Sequence, residues 1–183
     1  MIKLNLGCGR NPLAGYWNVD LIRYEGVDYG DEIFFQEDVF DFLARNFHDD
    51  VIEIRADQFL EHLRLEQGLR FLRKARRVLS PGGRLRLTLP DWAAHVADYV
   101  DHLQRVPLRD MSMAEGIFRP EINVLVRIVF DWGHQMIYDE EMLRTVLDMT
   151  GWQDAVITHP DGANLLVEAI AAGRDAGAPR EPR

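Results

Sequence analysis

Strand-like apolar runs alternating with amphipathic helical runs predict an α/β protein with a doubly wound, mostly parallel sheet. Three observations carry this expectation. An opening run, Lys3 to Leu6, breaks at Gly7-Cys8-Gly9 and is followed by Trp17 to Asp20, a second short run ending in an acid. From Arg64 to Leu79, residues Leu65, Leu69, Leu72, Ala75 and Leu79 recur every three or four positions, one helical face; Ser80-Pro81-Gly82-Gly83 then turns into the alternating Leu85, Leu87 and Leu89. Towards the C-terminus, Ala155 to His159 and Leu165 to Ala171 flank Pro160-Asp161-Gly162, a hairpin signal that adds an antiparallel last strand.

The elements follow in order. Arg10 to Tyr16 separates the first two strands and is too short for the usual three-turn helix, so this half of the sheet is expected to be trimmed. Glu32 to Glu37 reads as a third strand with Asp38 just past its end, and Val39 to Asn46 has helical spacing at Val39, Phe42 and Leu43. Asp50 to Ala56 alternates as a fourth strand, and Pro90 closes the fifth. Asp91 to Asp131 reads as an insertion of the kind that forms a substrate lid or wall. Within it, Ala94 to Leu103 and Ile122 to Phe130 are helix candidates, and the second fits lid, core or homodimer contact equally. Asp139 to Thr150 is a helix with Met142, Leu143, Val146 and Leu147 on one side and Gly151 as its stop. Residues 1–172 are expected to form one domain, and 173–183, rich in Gly, Pro and charge, a disordered tail.

Composition narrows the function classes. The 183 residues are 47% hydrophobic and 28% charged, enough for a single core. No apolar run approaches the roughly 18 residues of a membrane span. The strand begins directly after Met-Ile-Lys and leaves no room for a secretory signal, so a cytoplasmic location is expected. The single cysteine, Cys8, excludes an internal disulfide and reads as a small packing residue. A net charge of -9 argues against a nucleic-acid partner. The arginines and lysine of the 64–79 helix, Arg70, Arg73, Lys74, Arg76 and Arg77, read as a solvated face.

Ligands of such sheets bind beyond the carboxyl ends of the strands, where the winding reverses. Gly7 to Asn11, Asp20, Asp38, Ala56 to Phe59 and Asp91 all fall at such ends. Gly7 and Gly9 let backbone approach a ligand, and a carboxylate at Asp20 suits a ribose diol but repels a bare phosphate. Asp38 is placed to accept an adenine amino proton with Val39 packing on the ring, or to cap the helix that follows, and the two roles are compatible. Asn5 steadies the turn or bonds backbone within its strand. Glu61 is placed to satisfy backbone donors at a helix start. His62 and His134 read either as structural histidines or as substrate-facing ones, His134 lying in an aromatic stretch with Trp132 and Tyr138. His95, His102 and His134 show no metal-ligand spacing, so no metal is expected.

Leu4-Asn5-Leu6-Gly7-Cys8-Gly9, Asn18-Val19-Asp20, Leu60-Glu61-His62-Leu63 and Arg77-Val78-Leu79-Ser80-Pro81-Gly82-Gly83-Arg84-Leu85 occur in the order and spacing of a known family. Over about residues 2–172 the chain resembles the class I S-adenosylmethionine-dependent methyltransferases, and more narrowly small ones with a shortened first crossover. His134 to Trp152 is similar to an element near that family's end. The resemblance implies a Rossmann-like seven-stranded sheet with an antiparallel last strand, S-adenosylmethionine as cofactor and S-adenosylhomocysteine as product. It implies a cofactor site of Gly7, Gly9, Arg10, Asn11, Asp20, Leu21, Asp38, Val39, Asp57 and Gln58. His62, Asp91, His134 and Tyr138 are the candidates for catalysis or acceptor orientation. The chain departs from the family pattern at Asn5, where an acid is usual, at Asn11 in the third glycine position, and at Gln58, where relatives often have His.

Three functions compete. The first is methyl transfer to a small-molecule or saccharide-like acceptor. The second is a non-catalytic S-adenosylmethionine-binding interaction protein. The third is a nicotinamide-dependent oxidoreductase, disfavoured because Asn11-Pro12 stands where its fingerprint needs a third glycine opening a full helix.

Overall fold

Seven strands form one sheet: β1 (Ile2–Leu6), β2 (Trp17–Asp20), β3 (Phe34–Gln36), β4 (Val51–Asp57), β5 (Leu79–Pro90), β6 (Val156–Thr158) and β7 (Asn164–Ile170). The computed structural model describes residues 1–29, 33–45, 47, 50–105, 125, 129, 132–152 and 154–172. The strand order is β3-β2-β1-β4-β5-β7-β6. The first five strands pair in parallel, and β7 runs antiparallel to both β5 and β6. The chain thus winds outward from β1 to β3 and returns to place β4 beside β1, so the switch point lies between β1 and β4. The doubly wound, mostly parallel sheet with an antiparallel last strand is as expected.

Among the described residues the helices beside it are α1 (Val39–Phe42), α2 (Leu65–Val78), α3 (Trp92–Arg105) and α4 (Glu140–Met149). The third helix starts two residues earlier than its spacing suggests, because Asp91 caps it. The Ser80–Gly83 stretch does not sit between helix and strand as expected. β5 begins at Leu79, and its register with β4 jumps from Val51↔Leu79 to Glu53↔Arg84, so these four residues bulge out of a strand already begun. Glu32 of the expected third strand, Asn46 of the helix after it, the 106–124 part of the insertion, most of the Ile122 to Phe130 helix candidate and the tail from Gly173 lie outside the described residues.

Period-two alternation decides where the core sits. Leu4, Ile54, Leu85 and Ala169 are register partners across four strands, as are Ala56, Leu87 and Val167, and all are buried. Against this face pack Phe71, Leu72 and Ala75 of α2 and Leu143, Val146 and Leu147 of α4. Trp152 is buried beside them and its indole N–H donates to the Leu72 carbonyl at 3.2 Å.

The other face is charged. Lys3, Glu53 and Arg84 align across β1, β4 and β5, and Asn5, Arg55, Arg86 and Glu168 align one step along. Arg55 pairs with Asp57, and the Tyr16 hydroxyl donates to Glu53 at 2.7 Å. No helix forms between β1 and β2. A buried asparagine pair braces this link instead. Asn5 Nδ2 donates to Asn18 Oδ1 at 2.8 Å and to the Asn11 carbonyl at 3.1 Å. Asn18 in turn accepts from Leu13 N and donates to the carbonyls of Leu13 and Tyr16.

Candidate active site

The glycine turn grows directly from β1. Gly7 and Gly9 have φ of +63° and +53°, the left-handed region that a side chain disfavours. At Gly7 there is a second reason: a Cβ would lie 2.2 Å from Phe59 Cδ2. The ring of Phe59, three residues short of His62, therefore packs against the turn and is itself held edge-on by Phe71, with ring centroids 5.2 Å apart. At Gly9 a Cβ would meet nothing within 4 Å, so the space above that residue is open.

Asp20 closes the turn. Its Oδ2 accepts from Gly9 N at 2.8 Å and its Oδ1 from Ile22 N at 2.9 Å. Each oxygen keeps acceptor capacity, because a carboxylate has about four lone-pair sites. Leu21 is exposed beside it. Arg10 stacks its guanidinium over Tyr24, 4.9 Å from the ring centroid, and Asn11 N donates to the Cys8 carbonyl. Tyr29, not singled out by the sequence, is buried and donates its hydroxyl to the Gly9 carbonyl at 3.3 Å while accepting from Tyr24 N. No local pattern marks it. Cys8 is buried beneath the turn, and burial, with the Asp20 charge next, pushes its thiol up to about 12.

The next strand ends contribute two more groups. Asp38 follows β3 and its Oδ1 accepts from Phe40 N and Asp41 N, capping α1; Val39 begins that helix and is buried. Asp57 ends β4, tied to Arg55 and to the Thr88 hydroxyl. Gln58 follows with φ +50°, the one described non-glycine residue in the left-handed region. It is held by its N–H on the Thr88 carbonyl and its side-chain amide on Asn164 at 3.1 Å. Such strain costs about 1–2 kcal/mol and persists where surrounding bonds enforce it.

Beyond Phe59, a 3₁₀ turn (Leu60–His62) brings Glu61 into the interior. The expectation that its carboxylate satisfies the donors of a helix start is corrected: both oxygens are buried and, apart from a contact with Glu61's own N–H, without a hydrogen-bond partner. Burial pushes this carboxyl up to about 8. Its backbone carbonyl does bind donors, Gln135 N at 2.8 Å and Met136 N at 3.1 Å, which fastens the 132–138 segment to the turn. That contact sets His134 edge-on to His62, ring centroids 4.7 Å apart. Burial, with His62 next, lowers His134 to about 4, and its Nδ1 is buried without a partner. The spacing argument among His95, His102 and His134 missed this grouping because His62 and His134 lie 72 positions apart in the sequence.

Asp91 and Tyr138 are adjacent through an isolated parallel bridge, with Trp92 N donating to the Tyr138 carbonyl at 2.9 Å. Tyr138 is buried, and burial, then the Glu61 charge, raises its phenol to about 12. A small cavity is lined by Glu61, Trp92, His134 and Tyr138. Asp91 points elsewhere: Oδ1 caps α3, and Oδ2 meets His159 Nδ1 at 3.0 Å. The other ring nitrogen of His159 meets Glu140 at 3.0 Å, a group that sequence reasoning did not find.

Comparison with solved structures places this architecture. A methyltransferase dependent on S-adenosylmethionine from Archaeoglobus fulgidus matches with a TM-score of 0.60 at 13% identity, over 92% of this chain and 86% of that one. One from Methanosarcina mazei matches with a TM-score of 0.54 at 17% identity, over 93% and 92%. The magnesium protoporphyrin IX methyltransferase of Synechocystis, solved with bound S-adenosylhomocysteine, matches with a TM-score of 0.51 at 14% identity, over 94% and 74%. The chain spans about half the length of several other methyltransferases it matches. No family model and no curated protein matches it. The chain has the class I S-adenosylmethionine-dependent methyltransferase fold.

Proposed function

We propose that the protein is an S-adenosylmethionine-dependent methyltransferase acting on a small-molecule or saccharide-like acceptor. The observation that carries this reading is the turn at the switch point. Gly9 is open above, Asp20 anchors it from the end of β2, and strained Gln58 stands at the end of β4 beyond it. The donor set fits the cofactor. Asp20 has oxygen lone pairs for a ribose diol, Asp38 with Val39 suits an adenine edge and face, and Gly7, Arg10, Asn11, Asp57 and Gln58 surround the methionine end.

The cofactor, when bound, supplies an electrophilic methyl group on a sulfonium. The displacement is in line, so the protein's work is to align a nucleophile and exclude water. A base is needed only where that nucleophile must lose a proton. Asp91 is committed to its cap and to His159, and Tyr138 is buried with its hydroxyl close to Gly68 of α2, so orientation of the acceptor falls to His62 and His134. His134, held near 4 by burial, is neutral at pH 7 and available as an acceptor or ligand.

Calorimetric titration with S-adenosylmethionine, S-adenosylhomocysteine and NAD tests the reading. The two sulfur nucleosides are expected to bind and NAD not to. Asp20→Ala is expected to weaken S-adenosylmethionine by at least about tenfold, or ~1.4 kcal/mol. Unchanged affinity in a variant that retains its circular dichroism would show that the ribose site is elsewhere. Methylated product from a panel of small hydroxylated and saccharide acceptors separates catalysis from cofactor binding alone.

A further inference from the structure

Within the described residues, Glu61, His62 and His134 each offer a ligand atom, and these atoms lie within 4.8 Å of one another. We propose that the three side chains bind one divalent transition-metal ion of the Zn2+ type, with at least one coordination position left open.

The first support is unsatisfied polarity. Glu61 is only 1% exposed, yet neither carboxylate oxygen has a hydrogen-bond partner beyond a contact with its own N–H that does not offset the burial, and His134 Nδ1 is buried without a partner. A buried donor or acceptor left unmade costs about 1–3 kcal/mol, more when charged. A buried carboxyl of this kind keeps its proton, finds a charged partner, or gives up the proton to coordinate a metal. A single cation between them satisfies the carboxylate and both imidazoles together.

The second support is that the backbone holding these groups is fixed independently of them. The Glu61 carbonyl accepts from both Gln135 N and Met136 N, so the two segments are clamped together without use of a ligand atom. Gly133, at φ +72°, makes the turn that presents His134. Trp132 lies against the His134 ring at 5.9 Å between centroids.

The donor set decides the class of ion. Two imidazoles and one carboxylate suit Zn2+, Fe2+, Co2+ or Ni2+; Mg2+ and Ca2+ prefer oxygen alone. Three protein ligands with a free position are the arrangement of catalytic rather than structural zinc. Tetrahedral ligands at about 2.0–2.2 Å from the ion stand about 3.4 Å apart, so binding draws the present atoms closer. His62 is exposed, whereas Glu61 is buried and His134 partly buried, so His62 is the ligand with most room to adjust.

Cobalt(II) serves as the spectroscopic probe. Chelator-treated full-length protein is titrated with Co2+ and followed by visible absorption, then with Zn2+ by calorimetry, in the absence of nucleoside. The expected result is one ion per chain, with ligand-field bands of a low-coordinate N/O site that Zn2+ bleaches by displacement. Glu61→Gln, His62→Ala and His134→Ala are each expected to weaken Co2+ at least about tenfold, and His95→Ala to leave it unchanged. No saturable binding by the wild type, unchanged affinity in any one of the three variants, or an equal loss in His95→Ala would overturn the site. Glu61→Gln keeps the shape of the buried group, so it and the exposed His62→Ala decide the matter even if His134→Ala does not fold. Cofactor affinity plays no part in this readout, so failure here leaves the methyl-transfer reading untouched, and the reverse.

Discussion

At the scale of single residues, the two glycines of the turn do different work. Both sit at positive φ, which costs a side chain about 1–2 kcal/mol. Only at Gly7 would a new Cβ strike a packed ring. Gly9→Ala is therefore expected to lose about 1–2 kcal/mol, and Gly7→Ala a further 1–3 or so from overpacking against Phe59. Urea denaturation of the two variants checks the order; equal losses would mean that Phe59 yields freely. The glycines were legible from sequence as a turn. The ring was not, because Phe59 lies 52 positions away and reaches Gly7 only once β4 is paired beside β1.

At the scale of elements, the short link between β1 and β2 survives without a helix because side chains satisfy its backbone. Asn18 alone bonds Leu13 N and the carbonyls of Leu13 and Tyr16, and accepts from Asn5. Asn18→Ala leaves these buried partners unmade, and the expected loss is about 2–4 kcal/mol by chemical denaturation. A second junction joins the starts of α3 and α4. His159 meets Asp91, which caps α3, and Glu140, which begins α4. Its hydrogen bond to Glu140, then that to Asp91, raises its pKa in the folded state. A raised folded pKa stabilises fully below the ordinary value of 6.5, and the contribution is lost as pH rises through the folded value. The gap in Tm between wild type and His159→Gln is thus expected to be widest below pH 6.5 and to close on going alkaline. A gap that widens with pH would refute the junction.

At the scale of the whole molecule, the sheet is apolar on one face and charged on the other. Leu87 belongs to the first, between Ala56 and Val167 and fully buried; Arg84 belongs to the second and is exposed. Leu87→Ala is expected to cost about 2–5 kcal/mol, and Arg84→Ala no more than about 0.5, read from denaturant midpoints. A comparable loss at Arg84 would show that the charged face is covered by more than its own ion pairs. Among the described residues no helix is long and apolar enough to cross a membrane.

The order of elements, the trimmed first crossover, the antiparallel last strand and the glycine turn with its acid were all determined by local pattern. They depend on periodicity, turn chemistry and spacing along the chain, which a sequence carries directly. The Ser80–Gly83 bulge was misplaced because whether a turn ends a strand or interrupts one depends on the neighbouring strand's register. The fate of Asp91, which reads as a strand-end acid and becomes a cap held by His159, and the meeting of Glu61, His62 and His134 were decided only by tertiary structure. Both require residues some 70 positions apart to be brought together by strand pairing and by backbone clamps such as the Glu61 carbonyl. Burial of Glu61, which turns an ordinary acid into an unpaired one, exists only once the core has closed around it.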